Sequence, residues 1–261
     1  MKKDRGPRVV GIIPARMGSS RFPGKPLARI CGIPMIGHVY FRSAMSKILD
    51  EVHVATCDAE IASYMRSIGS DAIMTSAAHQ RASDRAAEAM KKIEKASGMA
   101  ADIAVMIQGD EPMIRPEMID AAVRPMMDDP SVNVVNLMSL LGTKEEEEDP
   151  NEVKVVCDRE GFALYFSREP IPSGKKGAGR VRRMKQVCVI PFRRDFLVKF
   201  NSLPQTPLEM AESVDMLRLL EHGYKVKMVE VRDVTYSVDT PDDLKEAEAA
   251  MGKDPLLKRY R

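Results

Sequence analysis

Hydrophobic positions fall into two rhythms along the first half of this chain. Val9 to Ile13 and Val52 to Thr56 are short runs rich in β-branched residues, Ala72 to Met74 is a brief apolar piece, and Ile103 to Ile107 is a fourth strand candidate. Each is too short for a helix, and the first stops at Pro14, which is the pattern of buried strands. Between them, helical spacing takes over. Pro34 suits the first position of a helix that sets Met35, Val39 and Met45 near one face, Asp58 suits the cap of a helix ending near Gly69, and Ser83 to Ala96 reads as a third helix. Strand and helix in alternation predict an α/β protein with a mostly parallel, Rossmann-like sheet covered on both faces. Ligands of such sheets bind at the carboxyl ends of the strands.

The second half changes rhythm. Val132 to Leu140, Val153 to Cys157 and Phe162 to Phe166 are strand-like, with no long helical pattern between them. Glu145 to Asp149 reads as a solvated acidic turn. Ser173 to Gly179, followed by Arg180, Arg182 and Arg183, reads as a mobile basic loop, either plain surface or a lid over an anion. Thr206-Pro207-Leu208-Glu209 and Thr240-Pro241-Asp242-Asp243 each supply a capping hydroxyl, a proline at the first helical position and an acid at the third. A single domain over residues 1–261 with an insertion at 132–205 is the expected organisation.

Composition removes several classes of function. The 261 residues carry 40 Lys+Arg against 38 Asp+Glu, a net charge of +2, so a general nucleic-acid coat is not expected. No apolar run approaches the roughly 18 residues of a membrane helix, and no secretory signal follows the basic N-terminus. The four cysteines (Cys31, Cys57, Cys157 and Cys188) form no CxxC pair, which argues against zinc ribbons and suits a reducing cytoplasm. A cytoplasmic enzyme without nucleic-acid or membrane partners is the expectation.

The candidate chemistry begins where the first strand ends, in Pro14-Ala-Arg-Met-Gly-Ser-Ser-Arg-Phe-Pro-Gly-Lys-Pro26. Small residues let backbone amides approach a ligand, and Arg16, Arg21 and Lys25 supply positive charge for phosphates. Two familiar phosphate loops fail. Five residues separate Gly18 from Gly24, one too many for a Walker A loop, and Pro26 stands where Ser or Thr would hold magnesium. There is no GxGxxG, which disfavours a nicotinamide dehydrogenase. On residues alone, a basic surface turn stays open.

Ile12-Ile-Pro-Ala-Arg-Met-Gly-Ser-Ser-Arg-Phe-Pro-Gly-Lys-Pro-Leu27 resembles the opening motif of the 3-deoxy-manno-octulosonate cytidylyltransferases, the CMP-Kdo synthetases. The resemblance continues through Gly32-Ile-Pro-Met-Ile-Gly-His38, Val54-Ala-Thr-Cys-Asp58, Met74-Thr-Ser76, Ser83-Asp-Arg85 and Gln108-Gly-Asp-Glu-Pro112. Later come Asp149-Pro-Asn-Glu-Val-Lys-Val-Val156, Ala163-Leu-Tyr-Phe-Ser-Arg168 and Val238-Asp-Thr-Pro-Asp-Asp-Leu244. It implies a nucleotide-diphospho-sugar transferase fold with a smaller antiparallel acceptor and dimerisation insertion, and a homodimer formed through the second-half strands. It also implies transfer of CMP from CTP to a 3-deoxy-2-keto sugar acid, with release of pyrophosphate, in lipopolysaccharide biosynthesis.

Asp110 follows a buried strand and so falls at its carboxyl end, and Asp239 directly precedes the capped helix at Thr240. Magnesium favours a few carboxylates plus phosphate oxygens and waters, and the resemblance implies that these two aspartates hold Mg2+. Glu111 points away if strand alternation persists. Arg16, Lys25, Asp110 and Asp239 are the expected catalytic set, because nucleotidyl transfer needs positioning and charge neutralisation rather than a nucleophilic side chain. The resemblance places the nucleotide on Ala15, Arg16, Gly18, Ser19, Ser20, Lys25, Thr75, Ser76, His79, Ser83, Arg85 and Gln108. His38 and His222 sit in helical patterns and are expected to pack.

The anionic acceptor is assigned by resemblance to Gln108, Arg168, Gln186, Glu209, Glu212 and Asp215. Here the chain departs from the family pattern. Gln186 and Ile190 replace a histidine and a tyrosine, Met216 replaces a glutamine, and Arg81-Ala82-Ser83 replaces Ser-Gly-Thr. A different acid, another ulosonate or a phosphonate, is therefore an alternative substrate. A non-catalytic nucleotide-binding homologue would have lost the loop cations or the metal acids, and a metal-dependent glycosyltransferase would need a DxD after a strand, which is absent.

Overall fold

Strand β1 (Val9–Pro14) is buried over its first five residues, as a largely β-branched run must be when both faces of a parallel sheet are covered. The computed structural model describes residues 6–19, 21–177, 179, 181–233 and 235–261. After β1 come a 3-10 turn (Lys25–Leu27), the hairpin β2 (Arg29–Ile30) and β3 (Ile33–Pro34), and helix α1 (Met35–Ser43). Then follow β4 (Glu51–Thr56), α2 (Ala59–Ser67), β5 (Ile73–Met74), α3 (Ala82–Ser97) and β6 (Ile103–Ile107). β1 lies between β4 and β6 and is parallel to both, with Ile12 opposite His53 on one side and Met106 on the other. β5 extends the parallel set beyond β4.

Helix α4 (Pro116–Asp128) leads out of this region. The chain divides into two compact units, Met1–Asp120 with Thr235–Arg261, and Ala121–Val234. The insertion expected at 132–205 falls inside the second unit, which is wider than that span.

The second unit holds β7 (Val135–Leu140), α5 (Lys144–Glu148), β8 (Lys154–Cys157), β9 (Ala163–Ser167), β10 (Met184–Val187) and β11 (Val189–Arg193). It continues with α6 (Arg194–Ser202), α7 (Pro207–Glu212), α8 (Met216–Glu221) and β12 (Lys227–Val231). Its sheet runs β12-β7-β10-β8-β9. The β7–β10, β10–β8 and β8–β9 pairs are antiparallel, and β12 runs parallel to β7. Phe192 of β11 and Phe200 of α6, both fully buried, stack with ring centroids 5.7 Å apart.

The chain returns to the first unit in α9 (Pro241–Met251) and a 3-10 turn (Pro255–Arg259). Ile30, Met35, Val238, Ala247, Met251 and Leu257 form one buried cluster. Burying a side chain of the Leu, Ile or Met kind contributes about 1.5–3 kcal/mol, so this cluster seats the C-terminal segment firmly. A buried polar knot adds direction. Arg42 donates to Asp254 (2.7 Å) and to the Tyr260 hydroxyl (2.8 Å), and that hydroxyl also meets His38 Nδ1 (2.9 Å). His38 is fully buried, and burial pushes its pKa down. It is a packing residue.

Local differences from the sequence expectation have local causes. Pro34 ends β3 instead of opening α1, because its extended backbone (ψ 141°) pairs with Arg29. The helix also stops at Ser43, so Met45 lies beyond it. Glu145–Asp149 is not a turn: Thr143 and Glu146 complete a capping box that nucleates the short helix α5. Asp58 precedes α2 but makes no side-chain cap, since its carboxylate is used elsewhere.

Candidate active site

The carboxyl ends of β1 and β6 open onto a pocket of about 320 Å³, in the first unit. That volume falls within the range of small-molecule sites. Its lining includes Ala15, Arg16, Gly18, Ser19, Arg21 and Lys25 from the loop after β1, with Gln108, Gly109 and Asp110 from the loop after β6. His79, Gln80, Arg81, Ala82 and Arg85 form another wall, and Asp239 completes it.

The loop after β1 is held by its own backbone and by a neighbour. Gly24 adopts a left-handed conformation (φ +76°), which a residue with a Cβ rarely tolerates. Its N–H donates to Met17 O at 3.0 Å, closing the loop just before Lys25. The Met17 N–H in turn donates to Asp58 Oδ2 at 2.8 Å. The missing cap of α2 is thus explained, since Asp58 positions the loop. Gly109 is needed for a different reason: a Cβ there would sit 3.0 Å from Pro14 O and 3.2 Å from Ile36 Cδ1. Its absence lets the strand ends carrying Ala15 and Asp110 approach closely.

The centre of the site is an ammonium between two carboxylates. Lys25 Nζ donates to Asp110 Oδ2 and to Asp239 Oδ1, both at 2.9 Å, and to Val238 O at 2.8 Å. Burial alone would lower the Lys25 pKa, but the two carboxylates outweigh it and hold the ammonium above its ordinary value. Arg21 also pairs with Asp239 Oδ1 at 3.0 Å. The two acid-bearing segments are tied directly, with Val238 N–H donating to Asp110 O at 2.9 Å. The start of α9 fixes Asp239 further. Asp243 Oδ2 accepts from the N–H groups of Asp239 (2.8 Å) and Thr240 (2.7 Å), while Thr240 Oγ1 accepts from Asp243 N–H (3.2 Å).

A divalent cation fits these residues. Two hard carboxylate oxygens already converge on one positive centre at 2.9 Å each. Among the described residues no group of three or more His, Cys, Asp or Glu side chains gathers for a metal. Two carboxylates supplemented by phosphate oxygens and water is the arrangement magnesium favours.

The nucleotide set expected from the sequence is only partly in the lining. Ala15, Arg16, Gly18, Ser19, Lys25, His79, Arg85 and Gln108 line the pocket. Thr75, Ser76 and Ser83 do not. Ser83 is fully buried, and the Thr75 hydroxyl accepts from Arg85. Ser20 lies outside the described residues, as does Arg180 of the basic loop. Glu111 is buried and does not line the pocket. His79 meets Glu88 Oε2 through Nε2 at 2.5 Å. Sequence reasoning missed Glu88 and the lining residue Gln80, and it gave Asp58 and Asp243 only capping roles; Asp58, Glu88 and Asp243 do not reach the lining. The signal for Glu88 was spacing, since it follows Arg85 by three and precedes Lys92 by four on α3.

The residues expected to take the acceptor lie, Gln108 apart, in the second unit. Arg168 and Glu212 come together. The Arg168 N–H donates to Glu212 Oε2 (2.8 Å), and its guanidinium donates to the carbonyls of Glu212 (2.6 Å), Pro150 (2.6 Å) and Ser213 (3.3 Å). Glu212 also accepts from the Ser167 hydroxyl at 2.9 Å. Gln186 donates to Asn136 Oδ1 at 2.5 Å, and Asp215 precedes α8. Glu209 is fully buried, with its two oxygens 2.6 and 2.7 Å from the Arg218 guanidinium. Its observed work is to hold α7 to α8. Ile190 and Met216 are both buried in this unit, at 2% and 1% exposure, so these departures from the family pattern are core residues here. His222 borders α8 and meets Pro204 O at 3.2 Å.

Among the described residues, no helix is long and apolar enough to cross a membrane. Residues 10–229 match the cytidylyltransferase family model. The chain is 44% identical to the 3-deoxy-manno-octulosonate cytidylyltransferase of Geobacter metallireducens, covering 91% of this chain and 95% of that one. It is 41% identical to the Syntrophus aciditrophicus protein of the same description, covering 97% and 99%. A solved CMP:2-keto-3-deoxy-manno-octonic acid synthetase complexed with CTP shares 41% identity and a TM-score of 0.86, over 94% of this chain and 99% of that one. A more distant 4-diphosphocytidyl-2C-methyl-D-erythritol synthase from Anaerococcus prevotii, 12% identical with a TM-score of 0.61, shares the fold. Likeness over nearly the whole length, in sequence and in fold, makes this chain a nucleotidyltransferase that belongs to the 3-deoxy-manno-octulosonate cytidylyltransferase family.

Proposed function

We propose that this enzyme transfers CMP from CTP to the anomeric hydroxyl of a 3-deoxy-2-keto sugar acid of the Kdo type and releases pyrophosphate. The observation that carries the reading is the cluster at the mouth of β1 and β6. Lys25, Asp110 and Asp239 meet within 2.9 Å contacts, in a pocket that also gathers Arg16, Arg21 and Arg85. A triphosphate brings several negative charges into a small volume, and this wall answers them with cations and with the backbone amides of Arg16, Gly18 and Ser19.

Asp110 and Asp239 would hold a magnesium ion. When bound, it supplies charge neutralisation at the phosphate oxygens and Lewis acidity at phosphorus. The chain's own groups do the rest. Arg16 and Lys25 neutralise the leaving pyrophosphate, and the capping box of α9 keeps Asp239 in place during turnover. Orientation of the two reactants supplies most of the remaining advantage, because no covalent intermediate is needed. The acceptor carboxylate is assigned to the group around Arg168, Glu212, Gln186 and Asp215. Glu209 acts at one remove, by fixing the helix that carries Glu212.

Pyrophosphate release from CTP and Mg2+, measured across a panel of acids, tests the reading. Release with Kdo above the level seen with other ulosonates and with phosphonates is expected. Release with a phosphonate but not with Kdo would move the acceptor assignment to that class, and no release with any acid would overturn the catalytic reading.

A further inference from the structure

One wall of the pocket is a loop with little structure of its own. Residues 75–81 belong to no helix or strand, and Ser76, Ala77, Ala78 and Gln80 are exposed. Three side chains on one face of α3 hold it. Arg85 donates to the Thr75 hydroxyl, and Lys92 Nζ donates to Met74 O at 2.7 Å. Glu88, between them, makes two contacts with a single oxygen: Oε2 accepts from Ser76 N–H at 2.9 Å and meets His79 Nε2 at 2.5 Å. Its other oxygen pairs with Lys92 at 2.8 Å. His79 lines the pocket, whereas Glu88 does not.

The chemistry of this pairing is asymmetric. The hydrogen bond from Lys92, then that from the Ser76 N–H, hold the Glu88 carboxyl down at a pKa of about 2. At neutral pH it is an acceptor only, so the proton of the pair belongs to His79 Nε2. In the neutral ring the second nitrogen, Nδ1, is then an acceptor. An acceptor selects a base that offers an amino group. Cytosine has a donor at that position, where uracil has a carbonyl oxygen.

We propose that Glu88 is a positioning residue that sets the base selectivity of this pocket, by holding His79 as the Nε2–H tautomer and so leaving Nδ1 to accept from the amino group of the base. The inference rests on the reading of the pocket as a nucleoside triphosphate site. Glu88 touches no reacting atom. The bonds from Arg85 to the Thr75 hydroxyl and from Lys92 to Met74 O do not pass through Glu88 and hold the start of the loop, so removing the carboxylate releases His79 and the Ser76 N–H while those anchors stay.

The test compares wild type with Glu88→Gln, Glu88→Ala and Glu88→Asp, using CTP and UTP with the best acid of the panel. In Glu88→Gln and Glu88→Ala the ratio of kcat/KM for CTP to that for UTP should fall about tenfold, the worth of one hydrogen bond. KM for CTP should rise more than kcat falls, and Glu88→Asp should recover part of the ratio. Nitrogen-15 spectra of His79 in the wild type should report the neutral Nε2–H form. Calorimetric Kd values for CTP and UTP give the same ratio where a variant turns over too slowly. Equal losses for both nucleotides, with the ratio unchanged, would reduce Glu88 to a structural support and overturn the proposal, as would an Nδ1–H or doubly protonated ring. Failure of wild type to bind or use CTP would instead sink the nucleotide reading, a result distinct from an unchanged ratio in the variants.

Discussion

Lys25 shares its ammonium between Asp110 and Asp239 at 2.9 Å each, with those side chains 14, 20 and 19% exposed. Arg218 and Glu209 also form an ion pair, at 2.6 Å, but with 4 and 0% exposure. The guanidinium matches both oxygens of one carboxylate and closes on itself as a fork, whereas the ammonium is a point charge between two acids that still border a pocket. The Arg218–Glu209 pair is a fastener, since both charged groups are enclosed. The Lys25 cluster is a set of oxygens held near one another and open to a further ligand. What separates structure from site is therefore how completely each charge is enclosed by its partner.

Three experiments would break or sharpen that contrast. The largest effect belongs to the closed pair. Glu209→Ala leaves Arg218 buried without its partner and should destabilise the fold by about 3–5 kcal/mol, measured as a shift in urea midpoint. A paired Glu209→Leu, Arg218→Met replacement should recover most of that loss, because a buried ion pair and a well-packed apolar pair are nearly equivalent in stability. If the single variant costs nothing, the pair is no fastener.

Asp110→Asn should act the other way around. Thermal unfolding should change little, while kcat falls by about 10²–10³, equivalent to about 2.7–4 kcal/mol of lost charge stabilisation. Chelation of divalent ions should abolish turnover in the wild type and leave its folding unchanged. Near-normal turnover in Asp110→Asn would remove this carboxylate from the site.

Acid gives the smallest and most graded effect, because it reaches the carboxylates that support each region. Glu88 is depressed from 4.5 to about 2 by its bonds from Lys92 and Ser76. For Glu212 burial raises the pKa, but the bonds from Arg168 N–H and the Ser167 and Tyr165 hydroxyls prevail and depress it. A carboxyl with a lower pKa folded than unfolded adds stability that is complete above the unfolded value and is lost as pH falls through the folded one. Stability should thus be flat above about pH 5 and decline as the pH falls towards 2, and Glu88→Gln should flatten the decline. A midpoint independent of pH across that window would contradict these pairings.

The strands β1 and β6 of the parallel sheet were legible because each is a short buried run, where hydrophobicity and length decide the outcome with little help. The helix starts at Thr206 and Thr240 were legible because capping is chemistry of three or four adjacent residues. The loop after β1 and the two aspartates were found from local motifs and family resemblance together. Pro34 and Glu145–Asp149 were misjudged, since a two-residue hairpin and a capping box outweighed the average habits of those residues.

By itself, then, the sequence determined the main strands and helices of the first half, which residues carry charge, and which family the chain resembles. Only the tertiary structure decided which charges work on each other. Lys25 stands 85 residues from Asp110 and 214 from Asp239, and Asp58 reaches back 41 residues to Met17. Likewise nothing in the string of letters separates Glu209, enclosed by Arg218, from Glu212, three residues on and bound to the Arg168 backbone. The physical reason is range. Propensity and capping act over a few neighbouring residues, whereas enclosure of a charge depends on which distant segments the sheet brings together.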